Sequence, residues 1–220
     1  MFGSRLASIR ASNAAVSHST SNPPVAIFVG GTSGIGKGMV QTFARHTNGN
    51  SHILVVGRNR DAAEQLFATI PTGGTPPGST DKFTREFIQC DVTLMKNIHT
   101  ATQDILSRHP KVNYLVMTTG IMTLKGRDET SEGIDKKLAV HYYSRWKFIN
   151  DLLPSLTKAK DAGEEGAVLS IFSAGYGGPI DLDDLGLKKN YSTSNAASSA
   201  PTYNDLMLEV CTPTYILIIF

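Results

Sequence analysis

Short continuous apolar runs recur along the chain, each followed by a stretch whose apolar positions repeat every three or four residues. Val25-Ala-Ile-Phe-Val29, Ile53-Leu-Val-Val56 and Tyr114-Leu-Val-Met117 have no alternating polar face, so they predict strands buried on both sides. Two further strands are predicted near Thr84 to Gln89 and over Ala167-Val-Leu-Ser-Ile-Phe172. Between them lie four helical patterns. The first runs from Gly36 to about His46. The second covers Asp61 to Ile70, with Ala62, Leu66 and Ile70 on one face. The third opens near Thr93 and ends near His109-Pro110, with Leu94, Ile98, Ile105 and Leu106 inward. The fourth is long, Glu132 to Leu156, with Leu138, Phe148, Leu152 and Leu153 in its stripe. Residues 71–80 are a Gly/Pro-rich loop.

Buried strands alternating with helices predict an α/β fold: a doubly wound parallel sheet with helices on both faces, the Rossmann arrangement. Ligands of such sheets lie at the carboxyl ends of the strands. The chain reads as a single domain over residues 25–220, preceded by a surface helix and linker over residues 1–24. No internal repeat is visible.

At 220 residues the chain has enough length for one sizeable core. The net charge of +2 gives no reason to expect nucleic acid. The charge is uneven, however: Arg5, Arg10, Lys37, Arg45, Arg58 and Arg60 all precede the first acid, Asp61. A basic first half favours an anionic ligand. Cys90 and Cys211 match no metal or CxxC spacing, so no metal site is expected. No apolar run reaches the length of a membrane span. A cytoplasmic protein is expected, with the acid-free, Ser/Ala-rich residues 1–24 leaving a mitochondrial transit peptide as the alternative.

The first strand runs directly into Gly30-Gly31-Thr32-Ser33-Gly34-Ile35-Gly36, where a helix opens. That context makes the glycines informative. Gly30 permits a tight turn, Gly34 lets backbone approach a pyrophosphate, and Gly36 lets helix pack on strand. The amides of Thr32, Ser33 and Ile35 and the positive helix end then face the phosphates.

On these residues the chain resembles the short-chain dehydrogenase/reductase family, whose TGxxxGxG turn this matches with Val29 in place of Thr. The resemblance extends over about residues 25–211. It includes Cys90-Asp91-Val92, where the family's Asp holds the adenine ring, and Thr118-Thr119-Gly120, a divergent form of the family's NNAG. The stretches Arg10-Ala-Ser-Asn13, Gly126-Arg-Asp-Glu-Thr-Ser-Glu-Gly133 and His141-Tyr-Tyr-Ser-Arg145 look like a fungal group within it. The resemblance implies a nicotinamide dinucleotide held by Gly30, Thr32, Ser33, Gly34, Ile35, Gly36, Asp91, Val92 and Gly120. The second strand ends Gly57-Arg58-Asn59-Arg60 without an acid. A carboxylate there would repel a 2′-phosphate, whereas the Arg58 guanidinium can bind one in bidentate fashion, so NADP(H) is expected over NAD(H).

The family's chemistry moves hydride between the nicotinamide and a carbonyl or alcohol carbon. It uses a Ser, a Tyr with a Lys four residues later, and an Asn on the long helix. The resemblance places the Ser at Ser173, the Tyr at Tyr203 after a long polar loop, and His141 in the Asn position. The Lys position is then Met207. The loss matters, because a cation about 4 Å from the phenol oxygen is worth on the order of 4 kcal/mol at an effective dielectric near 20. His141 offers partial replacement as a group that titrates near neutrality. Tyr176, and Tyr191 with Lys188 and Lys189 before it, are alternatives to Tyr203 but lack the YxxxK spacing.

Residues 214–219 read either as a short sixth strand or as a non-native tail, and the last strands of the family's sheet are expected to be missing. The leading expectation is an NADP(H)-dependent oxidoreductase acting on a small-molecule carbonyl or alcohol. The alternative is a non-catalytic NADP(H)-binding protein or a truncated inactive member. A homo-oligomer is compatible with either.

Overall fold

The computed structural model describes residues 5–9, 11, 23–74, 83–173, 175–211 and 217–219. Strand β1, Val25–Val29, leads into helix α1, Gly34–His46. Strand β2, His52–Gly57, helix α2, Arg60–Phe67, strand β3, Arg85–Gln89, and helix α3, Met95–Arg108, follow. After strand β4, Tyr114–Met117, comes the long helix α4. It comprises Lys136–Leu138, a π-helical turn Ala139–Tyr143, and Ser144–Asp161. Strand β5, Ala167–Ser170, helix α5, Thr193–Cys211, and strand β6, Leu217–Ile219, complete it.

All strand pairs are parallel, in the order β3-β2-β1-β4-β5-β6. The expected doubly wound α/β sheet is therefore present, including the short sixth strand. Side chains alternate along each strand, which divides the core in two. Val25, Ile27, Val29, Leu115 and Met117 face α3, α4 and α5 through Ile98, Ile105, Phe148, Leu152 and Met207. Ala26, Phe28, Ile53 and Val55 face α1 and α2 through Val40, Ala44, Ala63 and Leu66. The order of strands reverses between β1 and β4, where the carboxyl ends open a crevice.

Three local expectations change. The long helix starts at Lys136 rather than Glu132, because Asp135 is its N-cap: one carboxylate oxygen accepts from the Lys137 and Leu138 amides. Glu132 is spent elsewhere, accepting from the Met95 and Lys96 amides at the start of α3. The supposed polar loop before Tyr203 is helix from Thr193 onward. Its signal was in the chain: Ala196, Ala200, Tyr203 and Met207 lie at helical spacing and all are buried. Of the surface helix and linker expected over residues 1–24, residues 5–9 are helical and exposed. Most of that segment, like most of the loop 71–80, lies outside the described residues.

The last change is at β5, which ends at Ser170 and not Phe172. Arg145, 1% exposed, reaches from α4 across the ends of β4 and β5. Nη1 donates to Ser170 Oγ at 2.6 Å and to the Met117 carbonyl at 3.2 Å. Nη2 donates to the carbonyls of Thr119 at 2.8 Å and Ile171 at 3.0 Å. Phe172 lies against the guanidinium at 5.1 Å. Burial pushes the guanidinium down to about 10, so it keeps its charge at neutral pH.

Removing this side chain takes the partner from the Thr119 and Ile171 carbonyls and the Ser170 hydroxyl, while the Met117 carbonyl keeps the Ile171 amide. Arg145→Ala is expected to lower unfolding free energy by about 3 kcal/mol or more. Arg145→Lys should recover less than half of the loss, since one ammonium cannot span both strands. Urea denaturation measures both; a loss of under about 1 kcal/mol in Arg145→Ala would show that the clamp contributes little.

Candidate functional site

The β1–α1 turn has the backbone its glycines require. Gly30 has φ +89° and Gly34 φ +54°, both in the left-handed region. The roles of Gly34 and Gly36 separate cleanly. A Cβ on Gly36 would lie 2.4 Å from the Gly30 carbonyl oxygen and 2.5 Å from Thr118 Oγ1, so this glycine is where α1 crosses the end of β4. A Cβ on Gly34 would meet nothing within 4 Å, because that position faces open space. Ser33, the N-cap of α1, makes no side-chain capping bond, and the first turn contains no acid. The helix therefore offers uncapped amides and a positive dipole end to whatever enters.

What they face is a cavity of about 470 Å³ at the strand-order reversal. Its lining includes all ten residues expected to hold a cofactor: Gly30, Thr32, Ser33, Gly34, Ile35, Gly36, Arg58, Asp91, Val92 and Gly120. The residues fit a dinucleotide on the structure's own terms: an open cradle at Gly34, free helix amides, and a volume in the range of ligand pockets. Asp91 is held by its own turn, one carboxylate oxygen accepting from the Thr93 amide and hydroxyl. Cys90 also lines the cavity, but burial, with the Asp91 charge second, pushes its thiol up to about 12, so it is an inert wall.

The two arginines after β2 differ. Arg60 lies over the Phe87 ring at 5.0 Å and pairs with Glu64 at 4.0 Å. Arg58 is exposed and lines the cavity. Between them Asn59 caps α2, accepting from the Ala62 amide.

With this geometry in place, the comparisons with known proteins decide the family. Residues 24–200 match the family model described as short chain dehydrogenase. The chain belongs to the short-chain dehydrogenase family. Among curated relatives it is 39% identical over 184 residues to Oxidoreductase AN1596 of Emericella nidulans, covering 84% of this chain and 52% of that protein. The chain thus spans about half the length of the curated relatives it matches. Among solved structures, an NADH-dependent reductase complexed with NAD superposes with TM-score 0.61 at 16% identity, covering 90% of this chain and 76% of that one. A metagenomic short-chain oxidoreductase in complex with NADP gives 0.61 at 17%, covering 89% and 78%. These two likenesses show a shared fold.

The catalytic expectations fare differently from the cofactor ones. Ser173 is exposed beyond the end of β5 and borders a small cleft with Pro201, Asn204 and Asp205, apart from the glycine-turn cavity. His141 sits in the π-turn of α4, where Nε2 accepts the Ile121 amide at 3.0 Å. Burial first, and the Arg145 charge second, push its imidazole down to about 4. The expectation that His141 titrates near neutrality is therefore corrected: it is a neutral acceptor that fixes the loop after β4 beside the cavity.

Tyr203 lies in a packed setting. It is 7% exposed, its ring lies tilted at 5.2 Å from that of Tyr142, and its hydroxyl donates to the Leu185 carbonyl at 3.1 Å. Burial raises its phenol, so it is neither a free nor an activated acid. Met207, taken as the Lys position, faces the same way and belongs to the main core. Tyr203 and Met207 belong to a stripe of buried residues spaced for a helix.

Tyr191, two residues before α5, meets a cation. Lys137 Nζ donates to Tyr191 Oη at 2.8 Å and lies 5.4 Å from the ring centre. Tyr191 and Phe172, the residue before Ser173, pack against one cluster with Leu138, Ala196 and Ala200. Sequence spacing hid this pair because its members are 54 residues apart.

Two measurements follow from this geometry. Gly36→Ala should unfold or strongly destabilise the protein, whereas Gly34→Ala should cost about 1 kcal/mol of backbone strain and mainly weaken dinucleotide binding. Equal effects on thermal midpoint would refute the division. For His141, the unfolded chain protonates near the ordinary 6.5, while the folded chain resists until about 4. Protons therefore favour the unfolded chain, and stability present at neutral pH falls through that window by up to roughly 3 kcal/mol. His52 and His109, also lowered by burial, act in the same direction. In His141→Gln the loss between pH 6.5 and 4 should be shallower; an unchanged slope would sink the assignment.

Proposed function

We propose that this protein is an NADP(H)-dependent oxidoreductase that interconverts a carbonyl and an alcohol on a small molecule. The observation that carries the reading is the cavity over the uncapped start of α1, lined at its β2 side by the uncommitted Arg58. Gly30 to Gly36 would hold the pyrophosphate, Asp91 and Val92 the adenine end, and Arg58 a 2′-phosphate. Gly120 and Ile121 border the part of the cavity nearest β4. When bound, the reduced nicotinamide supplies hydride to a carbonyl carbon.

The chain's own work is to place the substrate oxygen and move one proton. In reduction, Tyr191 Oη gives its proton to the carbonyl oxygen as the carbon accepts hydride, and the phenolate regains a proton from solvent. Tyr191 is favoured over Tyr176, whose ring is 74% exposed, because a proton donor must be held in place. His141 holds the Ile121 amide and takes no proton. A cytoplasmic location is part of this reading; among the described residues no helix is long and apolar enough to cross a membrane.

The test is loss of nicotinamide absorbance on adding NADPH and a panel of aldehydes and ketones to the purified protein. Turnover supports the reading. Tight NADPH binding without turnover on any carbonyl would overturn the enzyme and leave a cofactor-binding protein. NADPH should bind at least about tenfold more tightly than NADH, the worth of one charge-assisted contact. Arg58→Asp should reverse the order; equal affinities in the parent protein would remove the case for NADP(H).

A further inference from the structure

The two faces of the sheet are covered unequally. On one face β4 and β5 are backed by α4 and α5, through Phe148, Leu152, Met207 and Leu208. On the other face the core's helical members, among the described residues, come from α1 and α2. Over β4 and β5 on that side lies a groove of about 610 Å³. Phe28, Met39, Val116 and Leu169 line it, with Thr42 and His46 on its α1 wall. An apolar sheet face needs an apolar cover. Ile35, 64% exposed, belongs both to this groove and to the glycine-turn cavity.

This chain contains a segment of the matching form. Residues 5–9 and 11 are helical. A helix of roughly ten residues is marginal alone in water and holds when one face packs. The sequence spaces Phe2, Leu6 and Ile9 as i, i+4 and i+7, which puts them on one face. By the same spacing Arg5 and Arg10 border that face, and Ser4 and Ser8 lie opposite. Leu6 and Ile9 are each 50% exposed, as in a helix lying in an open groove.

Position and charge agree with this match. The chain enters the sheet beside the groove: the Val25 amide donates to Asn113 Oδ1 at 2.9 Å, and the Asn113 carbonyl accepts the Ala167 amide. Ala167 and the neighbouring Tyr114 line the groove. Residues 10–22, thirteen in all, separate Ile9 from Pro23. At roughly 3.3 Å each they span up to about 40 Å, enough to reach any part of the groove. Burial, with the Glu165 charge second, pushes the Tyr114 phenol up. The exposed Glu165 carboxylate therefore stands at this end of the groove, where it complements Arg5 and Arg10.

We propose that the N-terminal helix of this same chain docks through Phe2, Leu6 and Ile9 in the groove over β4 and β5. There it braces α1 from the side of Met39, and α1 carries the amides that face the glycine-turn cavity. The inference does not rest on the oxidoreductase reading.

The experiment uses the whole chain with the photo-crosslinker p-benzoylphenylalanine in place of Leu6. Isotopically light and heavy protein are mixed and irradiated, and the adducts are located by mass spectrometry. Cross-links should fall on peptides that hold Met39, Tyr114 or Leu169, and should join light to light and heavy to heavy. Light–heavy adducts on those peptides would put a second copy in the groove and overturn the proposal. Cross-links confined to other surfaces, or none, would overturn it too. The second readout is the fluorescence of anilinonaphthalene sulfonate, a dye that binds open apolar surface. The double variant Leu6→Asp, Ile9→Asp should give several times the parent's signal while still unfolding cooperatively on heating. Leu6→Ile should match the parent. A double variant no brighter than the parent would show that this helix does not cover the groove.

Discussion

Past Met117 and Ser170, the last residues of β4 and β5 in register, one further ladder bond remains, from the Ile171 amide to the Met117 carbonyl. Beyond it the Thr119 and Ile171 carbonyls need partners that the sheet does not supply. Arg145 is the partner. One guanidinium, planar and rich in donors, takes oxygens from both strand ends and from the first residues beyond each. A carboxylate beside it would compete for those donors; among the described residues none pairs with it, and its four hydrogen bonds go to the ends of β4 and β5 and the residues just after them.

Everything nearer the chemistry hangs from that clamp. The segment that Arg145 fixes through Thr119 continues to Gly120 and Ile121 at the cavity wall, and Ile121 is fixed again by His141. The segment fixed through Ile171 continues to Phe172, which lies on both the Arg145 guanidinium and the His141 ring. The π-turn between Leu138 and Ser144 sets the spacing along α4 of Lys137, His141 and Arg145. Three basic side chains of one helix thus act on three neighbouring objects: the Tyr191 phenol, the loop after β4, and the strand ends. The Arg145 and Lys137 charges in turn help to keep His141 neutral.

The opposite half of the cavity is organised by backbone alone. There the close crossing of Gly36 over Gly30 and Thr118 sets the angle at which α1 leaves the sheet, and hence where its free amides point. The two halves use different physics, main-chain geometry on one side and buried cations on the other. They meet at Thr118, which packs on the glycine turn one residue before the Thr119 carbonyl that Arg145 holds.

This division explains what could be read from the chain. The parallel sheet, its helices and the glycine turn are encoded locally. Apolar runs such as Ile53 to Val56, helical stripes, and Gly30 with Gly36 each state their structure within a few residues, because secondary structure and tight turns answer to neighbours. The residues that line the cavity were legible for the same reason: they cluster in the turns that follow the carboxyl ends of β1 to β4. The side-chain arrangement beyond the turns was not. Tyr203 and Met207 have helical spacing whether the stripe faces a substrate or a core, and only the docking of α5 on Tyr142 and Leu185 decided for the core. Lys137 and Tyr191 are an ordinary surface-type lysine and a tyrosine in a polar stretch until tertiary packing removes the water between them. Charge–charge and charge–phenol interactions depend on distance in space and on burial, and neither quantity is written in the order of residues.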